Sequence, residues 1–124
     1  MNVIHTNDAP AAVGPYSQAI EANGVLYCSG QIAIQPKAGR IVAKTIEEQA
    51  EQCCQNVEAV LKEAGCSMEH VVKTTCFIAD IADFSAFNRI YAKHFVSKPA
   101  RSCVAVKALP AGALCEIEVT AVRG

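Results

Sequence analysis

The tightest constraint on this chain is an amphipathic stripe between Thr45 and Gly65. Apolar or small residues recur there at Ile46, Ala50, Cys53, Cys54, Val57, Val60, Leu61 and Ala64, the 3.6-residue period of a helix with one buried face. Thr45-Ile46-Glu47-Glu48 has the form of a capping box, with the threonine hydroxyl on the Glu48 amide and the glutamate reaching back. Gly65 stands where a helix end favours a left-handed residue. The opposite face, Glu47, Glu51, Gln55, Glu58 and Lys62, is a solvated surface. A helix with one long apolar side needs a broad partner to cover.

The remaining segments supply that partner as a sheet. Val25 to Ile34, Val71 to Ala79, Ser102 to Lys107 and Leu114 to Val122 are rich in apolar and β-branched residues. Asn23-Gly24, Lys37-Ala38-Gly39 and Pro110-Ala111-Gly112 punctuate them as turns. The last segment alternates: Cys115, Ile117, Val119 and Ala121 face one way, Leu114, Glu116, Glu118 and Thr120 the other. A second helix is expected from an Asp83 N-cap to about Phe95, with Phe84, Phe87, Tyr91 and Phe95 as its core stripe. The order β-β-(β)-α-β-α-β-β predicts an α+β fold, a mixed sheet with two helices packed on one face. The other face, expected to carry Leu114 and Val104 or Cys103, has no third helix to cover it and predicts an oligomer.

A chain of 124 residues and 13.1 kDa fits one domain, residues 1–124. With 52% hydrophobic and 19% charged residues it has the material for a core, which excludes a disordered chain. A net charge of −1 without any basic run argues against a nucleic-acid binder. No apolar stretch is long enough to span a bilayer. Met1 to His5 lacks the charged and apolar regions of a signal peptide, so a cytoplasmic protein is expected. The seven cysteines are odd in number and form no C-x-x-C pair. Free thiols serving as small apolar core residues in a reducing compartment explain them better than disulfides or zinc.

Three short segments carry more constraint than a fold needs. Gly14-Pro15-Tyr16-Ser17-Gln18 is a rigid turn that presents one tyrosine. At Ser29-Gly30-Gln31 a glycine interrupts a good strand, which marks a bulge or a close approach to the backbone. In Pro99-Ala100-Arg101-Ser102-Cys103-Val104 an arginine opens an apolar strand. Each is weak alone: the arginine reads as a solvated cap, the tyrosine as turn packing and the lone glycine as a minor strand irregularity, just as Glu116 and Glu118 on the last strand read as edge charges that discourage aggregation.

Together, Gly14 to Ala19, Ser29-Gly30-Gln31-Ile32, Asn88, Pro99 to Val104 and Glu116-Ile117-Glu118 resemble the reactive intermediate deaminase family, also called the Rid or YjgF family. The match runs from about residue 4 to 122 and is nearest the RidA subgroup. Cys115 departs from the larger aliphatic residue usual there; it faces away from Glu116, so only packing is affected. The resemblance implies a chorismate mutase-like (YjgF-like) α+β fold and a homotrimer with sites in the clefts between subunits. It also implies hydrolysis of 2-iminobutanoate and 2-iminopropanoate, released by pyridoxal-phosphate-dependent dehydratases, to 2-oxo acids and ammonia. The site residues it carries over are Arg101, Tyr16, Glu116, Ser29, Gly30, Asn88 and Cys103, with no metal and no cofactor.

The chemistry suits those residue types. A planar guanidinium binds a substrate carboxylate through two hydrogen bonds at once, so Arg101 is the natural anchor. A carboxyl in a partly dry cleft holds water and exchanges protons near neutrality, the role expected of Glu116. Tyr16 and Ser29 offer hydrogen bonds, and Gly30 lets ligand and backbone approach closely. Cys103 has no matched histidine to activate it, so it is expected to line the pocket without covalent chemistry. His5, His70 and His94 lie in no matched motif and are expected to be structural. Two other functions compete: a binding module for small carboxylates without turnover, and a stress-activated holdase of unfolded chains. Glu116 separates the first, because a pure carboxylate binder gains nothing from a second negative group.

Overall fold

The computed structural model describes residues 1–124. Its strands are β1 (Asn2–Ile4), β2 (Ala19–Ala22), β3 (Val25–Cys28), β4 (Ile34–Gln35), β5 (Arg40–Ile41), β6 (Val71–Ile78), β7 (Ala100–Ala105) and β8 (Cys115–Val122). The helices are α1 (Ile46–Glu63) and α2 (Phe84–His94). Six strands form one mixed sheet in the order β1-β2-β3-β8-β6-β7, while β4 and β5 form a separate hairpin. Only β6 and β7 run parallel, joined across the sheet by α2.

Local chemistry sets the ends of α1. The Thr45 hydroxyl accepts from the Glu48 amide at 3.2 Å and the Glu48 carboxylate accepts from the Thr45 amide at 3.4 Å, closing the expected box. At the other end Gly65 takes φ +77°, so that its amide reaches the Lys62 carbonyl and the Cys66 amide reaches Leu61. Asn23 and Gly24, both left-handed, turn β2 into β3.

Burial alternates along β8: Cys115, Ile117, Val119 and Ala121 are buried against the helices, and Glu116, Glu118 and Thr120 face out. The helix side of β6 is Thr74, Cys76 and Ile78. Helix α1 adds Val57, Val60 and Leu61, and α2 adds Phe87 and Tyr91. Truncating a wholly buried leucine such as Leu61 to alanine is expected to cost about 2–5 kcal/mol. Six of the seven cysteines are buried in this layer. Burial pushes the Cys28 and Cys76 thiols up to about 12, which leaves them protonated. No helix is long and apolar enough to cross a membrane.

The structure corrects three expectations. The segment Val25 to Ile34 is not one strand: it pairs with β8 as far as Tyr27, breaks after Cys28, meets β8 again only at the bridge between Gln31 and Ile117, and re-pairs as β4. The break falls at Gly30, where the strand changes partner: the Ser29 amide bonds back to Gln18 and the Gln31 amide to Ile117. Asp83 sits at the N-cap of α2 but makes no capping bond. Asp80 instead accepts from the Ala82 amide and caps a 3-10 turn, Ile81–Asp83, that feeds the helix. On the uncovered face only Val104 appears as expected, since Cys103 and Leu114 pack against the core. That face is mixed rather than apolar. Tyr27, Phe77, Val104 and Val122 alternate with Lys73, Thr75, Ser102, Glu116 and Glu118.

Candidate functional site

Glu116 lies at the start of β8 on the uncovered face, opposite the break in the β3 segment. Its carboxylate occupies the space a side chain at position 30 would need. A Cβ built on Gly30 would stand 2.2 Å from Glu116 Oε2, 2.8 Å from Cδ and 3.1 Å from Cγ. Glycine is therefore required for this approach, and the strand interruption seen in the sequence has a physical cause. The segment is pinned on both sides: the Ser29 hydroxyl donates to the Ser17 carbonyl at 2.6 Å, and Gln31 exchanges both backbone bonds with Ile117. Tyr16 rises from the turn after Gly14, whose missing side chain leaves room for its ring. Tyr16, Ser29, Gly30 and Glu116 share one open cavity of about 400 Å³ with Glu118 and Pro110. Partial burial pushes the Glu116 carboxyl above the usual carboxylate range, and the charge of Glu118 adds to the shift. No cation pairs with Glu116.

Arg101 lies elsewhere. On β7 it stands beside Thr74 of β6, both directed to the helix side of the sheet. Asn88 of α2 accepts a hydrogen bond from Arg101 Nη1 at 2.7 Å. The guanidinium carbon sits 4.7 Å from the centre of the Tyr91 ring and 5.7 Å from that of Phe84. No carboxylate pairs with it, so its remaining donors stay available. Arg101 and Asn88 line a cavity of about 450 Å³ with Tyr91, Phe95, Lys98 and Pro99. Cys103 is half-buried two residues along the same strand face, and burial raises its thiol.

The expected residues thus form two groups. Tyr16, Ser29, Gly30 and Glu116 come together, and so do Arg101 and Asn88. The pairing Thr74 with Arg101 and Phe77 with Glu116 sets the two groups on opposite faces of one sheet. One chain therefore cannot bring them to one small molecule. The helical periodicity marks Tyr91 only as core; the further signal is its hydroxyl, because a buried phenol needs a partner. His70 accepts from the Ser67 amide at 2.9 Å and His94 meets Glu51 at 2.9 Å, two structural roles. A further groove of about 540 Å³, lined by Thr6, Asp8, Glu58 and Lys62 among others, contains none of the candidate residues.

The family model described as Endoribonuclease L-PSP matches residues 6–123. A Lactococcus lactis protein named as a regulator, AldR, is 53% identical over 98% of this chain and 97% of its own. The human protein named 2-iminobutanoate/2-iminopropanoate deaminase is 46% identical over 98% of this chain and 90% of its own. The crystal structure of E. coli TdcF with bound serine superposes with a TM-score of 0.94 at 38% identity, covering 100% of each chain. A match over nearly the whole length, the same mixed sheet under two helices, and relatives at about half identity all agree: the chain belongs to the Endoribonuclease L-PSP family, the Rid/YjgF proteins.

Proposed function

We propose that this protein is a deaminase that hydrolyses small 2-imino acids, 2-iminobutanoate and 2-iminopropanoate, to 2-oxo acids and ammonia. The observation that carries the reading is Glu116, a half-buried carboxyl raised in pKa, laid over the Gly30 backbone and paired with no cation. A module that only binds carboxylates has no use for such a group.

The geometry suggests how the residues divide the work. Arg101, held by Asn88 on one edge, offers its free edge to the substrate carboxylate. A protonated imine carbon is already electrophilic. Glu116 takes a proton from water as the water oxygen bonds to that carbon, then returns the proton to nitrogen. The tetrahedral adduct expels ammonia as its hydroxyl gives its proton to the now free Glu116 carboxylate, leaving the 2-oxo acid, and Glu116 passes that proton to solvent. Tyr16 and Ser29 supply hydrogen bonds around the adduct and Gly30 and Asn88 its close walls, while Cys103, which lines neither cavity, packs behind Arg101 on the same strand and takes no covalent part.

Because Arg101 and Glu116 face away from each other within one chain, we take the working site to lie between copies, in a homotrimer with three clefts. The human relative's name and the serine bound by TdcF fit a small amino-acid-derived substrate. The source of such imines would be pyridoxal-phosphate-dependent dehydratases in the same cytoplasm. The name of the AldR relative keeps a regulatory, non-catalytic binder as the competing reading.

The test is a coupled assay. Threonine dehydratase generates the imine, semicarbazide traps what survives, and the protein is added at catalytic concentration without metal or cofactor. Faster 2-oxobutanoate release with less trapped product is expected. Tight 2-oxobutanoate binding with no change in trapping would replace the deaminase with the regulatory binder.

A further inference from the structure

The Arg101 guanidinium has one hydrogen-bonded edge and two aromatic neighbours, Tyr91 at 4.7 Å and the more distant Phe84 at 5.7 Å, all three partners coming from different positions of α2. The nearer face belongs to Tyr91, whose own surroundings are unusually determined. Its hydroxyl meets the Thr74 hydroxyl at 2.7 Å in the buried layer. Its ring stacks on Phe95 at 4.3 Å between centres and 22° between planes, and Phe87 closes the other end at 6.0 Å. Thr74 is wholly buried and is the strand partner of Arg101 itself. The contacts therefore close a loop: backbone pairing joins Arg101 to Thr74, the hydroxyl pair joins Thr74 to Tyr91, and the ring returns to the guanidinium.

We infer that Tyr91 is the positioning residue of Arg101, holding the guanidinium plane so that its free edge meets a substrate carboxylate in one orientation. This rests on the reading of Arg101 as the carboxylate anchor. An arginine side chain carries much rotamer entropy, which a single fixed orientation must overcome. Asn88 alone fixes one nitrogen and leaves the plane free to swing about that bond. The Tyr91 ring removes the swing, and the Thr74 bond prevents the ring from turning away. Burial keeps the phenol protonated, so it serves as a neutral tether. Tyr91 does not touch the reacting atoms; it acts through Arg101.

Two variants and two readouts test this. Tyr91→Phe keeps the ring and loses the tether; Tyr91→Leu loses the ring face as well. Deaminase kinetics are expected to give KM raised about threefold for phenylalanine and about tenfold or more for leucine, with kcat within about twofold in both. The second readout needs no substrate: relaxation of the Arg101 Nε–Hε NMR signal in the ligand-free protein. That signal is expected to be rigid in the wild type, looser in Tyr91→Phe and loosest in Tyr91→Leu. The double variant Tyr91→Phe/Thr74→Val removes both hydroxyls, so neither is left buried without the other, and only the weak, long contact from the Cys76 thiol to Thr74 is lost with them. It is expected to regain melting temperature while keeping the raised KM. Unchanged Arg101 relaxation in Tyr91→Leu, or a KM that returns to the wild-type value along with the melting temperature, would overturn the inference. If the wild type shows no turnover while Arg101 still loosens in the two variants as expected, the deaminase reading is refuted and the positioning role stands.

Discussion

Substituting Gly30 by alanine sets the sheet against the candidate site. The position has no left-handed backbone angle, so alanine is conformationally allowed and lowers unfolded-state entropy, a gain of about 0.4–1 kcal/mol. The obstacle is Glu116, whose Oε2 stands 2.2 Å from where the new carbon must go. An ordinary carbon–oxygen contact needs about 3.3 Å, so the carboxylate must retreat by roughly 1 Å. Cγ, at 3.1 Å, is also crowded, so a simple turn of the carboxylate does not suffice. Misplacing a catalytic group by about that distance costs on the order of 100-fold in rate. The atoms that yield belong to a partly exposed side chain, so global stability is expected to hold. Gly30→Ala should lose about 100-fold in kcat/KM in the coupled trapping assay while its melting temperature stays within a few degrees. An active Gly30→Ala, within about threefold of wild type, would show that Glu116 need not lie against this backbone.

Arg101→Lys should behave almost like Arg101→Ala, with KM raised about 10- to 100-fold, because lysine keeps the charge and loses the fork; near-normal KM for the lysine variant would reduce the anchor to a point charge. Glu116→Gln should still bind 2-oxobutanoate by calorimetry but lose turnover by about 100-fold or more. The pH dependence of its stability is equally specific. The fold raises the Glu116 pKa, so the folded chain holds that proton more tightly, and stability falls as pH rises from the unfolded value through the raised one. The glutamine variant is therefore expected to melt higher than wild type at about pH 8 and the same at about pH 4; equal melting at both would remove the burial argument. Mixing unfolded Arg101→Ala and Glu116→Gln chains in equal amounts and refolding them should restore about a quarter of wild-type activity, since one cleft in four would pair two intact halves in a ring. No recovery would place both groups within one chain's reach.

Much of the fold was legible because its determinants are local. The capping box at Thr45 and Glu48, the stripe from Ile46 to Ala64 and the alternation along β8 each depend on residues within a few positions of one another. The aromatic stripe of α2 was legible too, though its cap was not, because Asp80 and Asp83 are chemically alike and only the preceding turn decides between them. What stayed hidden depends on contacts distant in sequence. Gly30 announces a close approach without naming Glu116 as its cause. Arg101 and Glu116 both begin strands, and only the pairing of each with β6 reveals that they face apart. Likewise Cys103 and Val104 could not be assigned to faces until β7 was set in register with Cys76 and Phe77. Tyr91 was hidden for a different reason: a phenylalanine would give the same periodicity, and its hydroxyl matters only because Thr74 lies beside it.

The distribution of sulfur has a practical side. Six thiols are sealed within the helix-covered layer, and only Cys103 is partly open, on the strand that carries Arg101. A thiol-reactive dye should therefore find one slow site in the native chain and seven once it opens. The wild-type molecule carries its own counter of folded copies, with the first tally mark beside the pocket where a ligand would shield it.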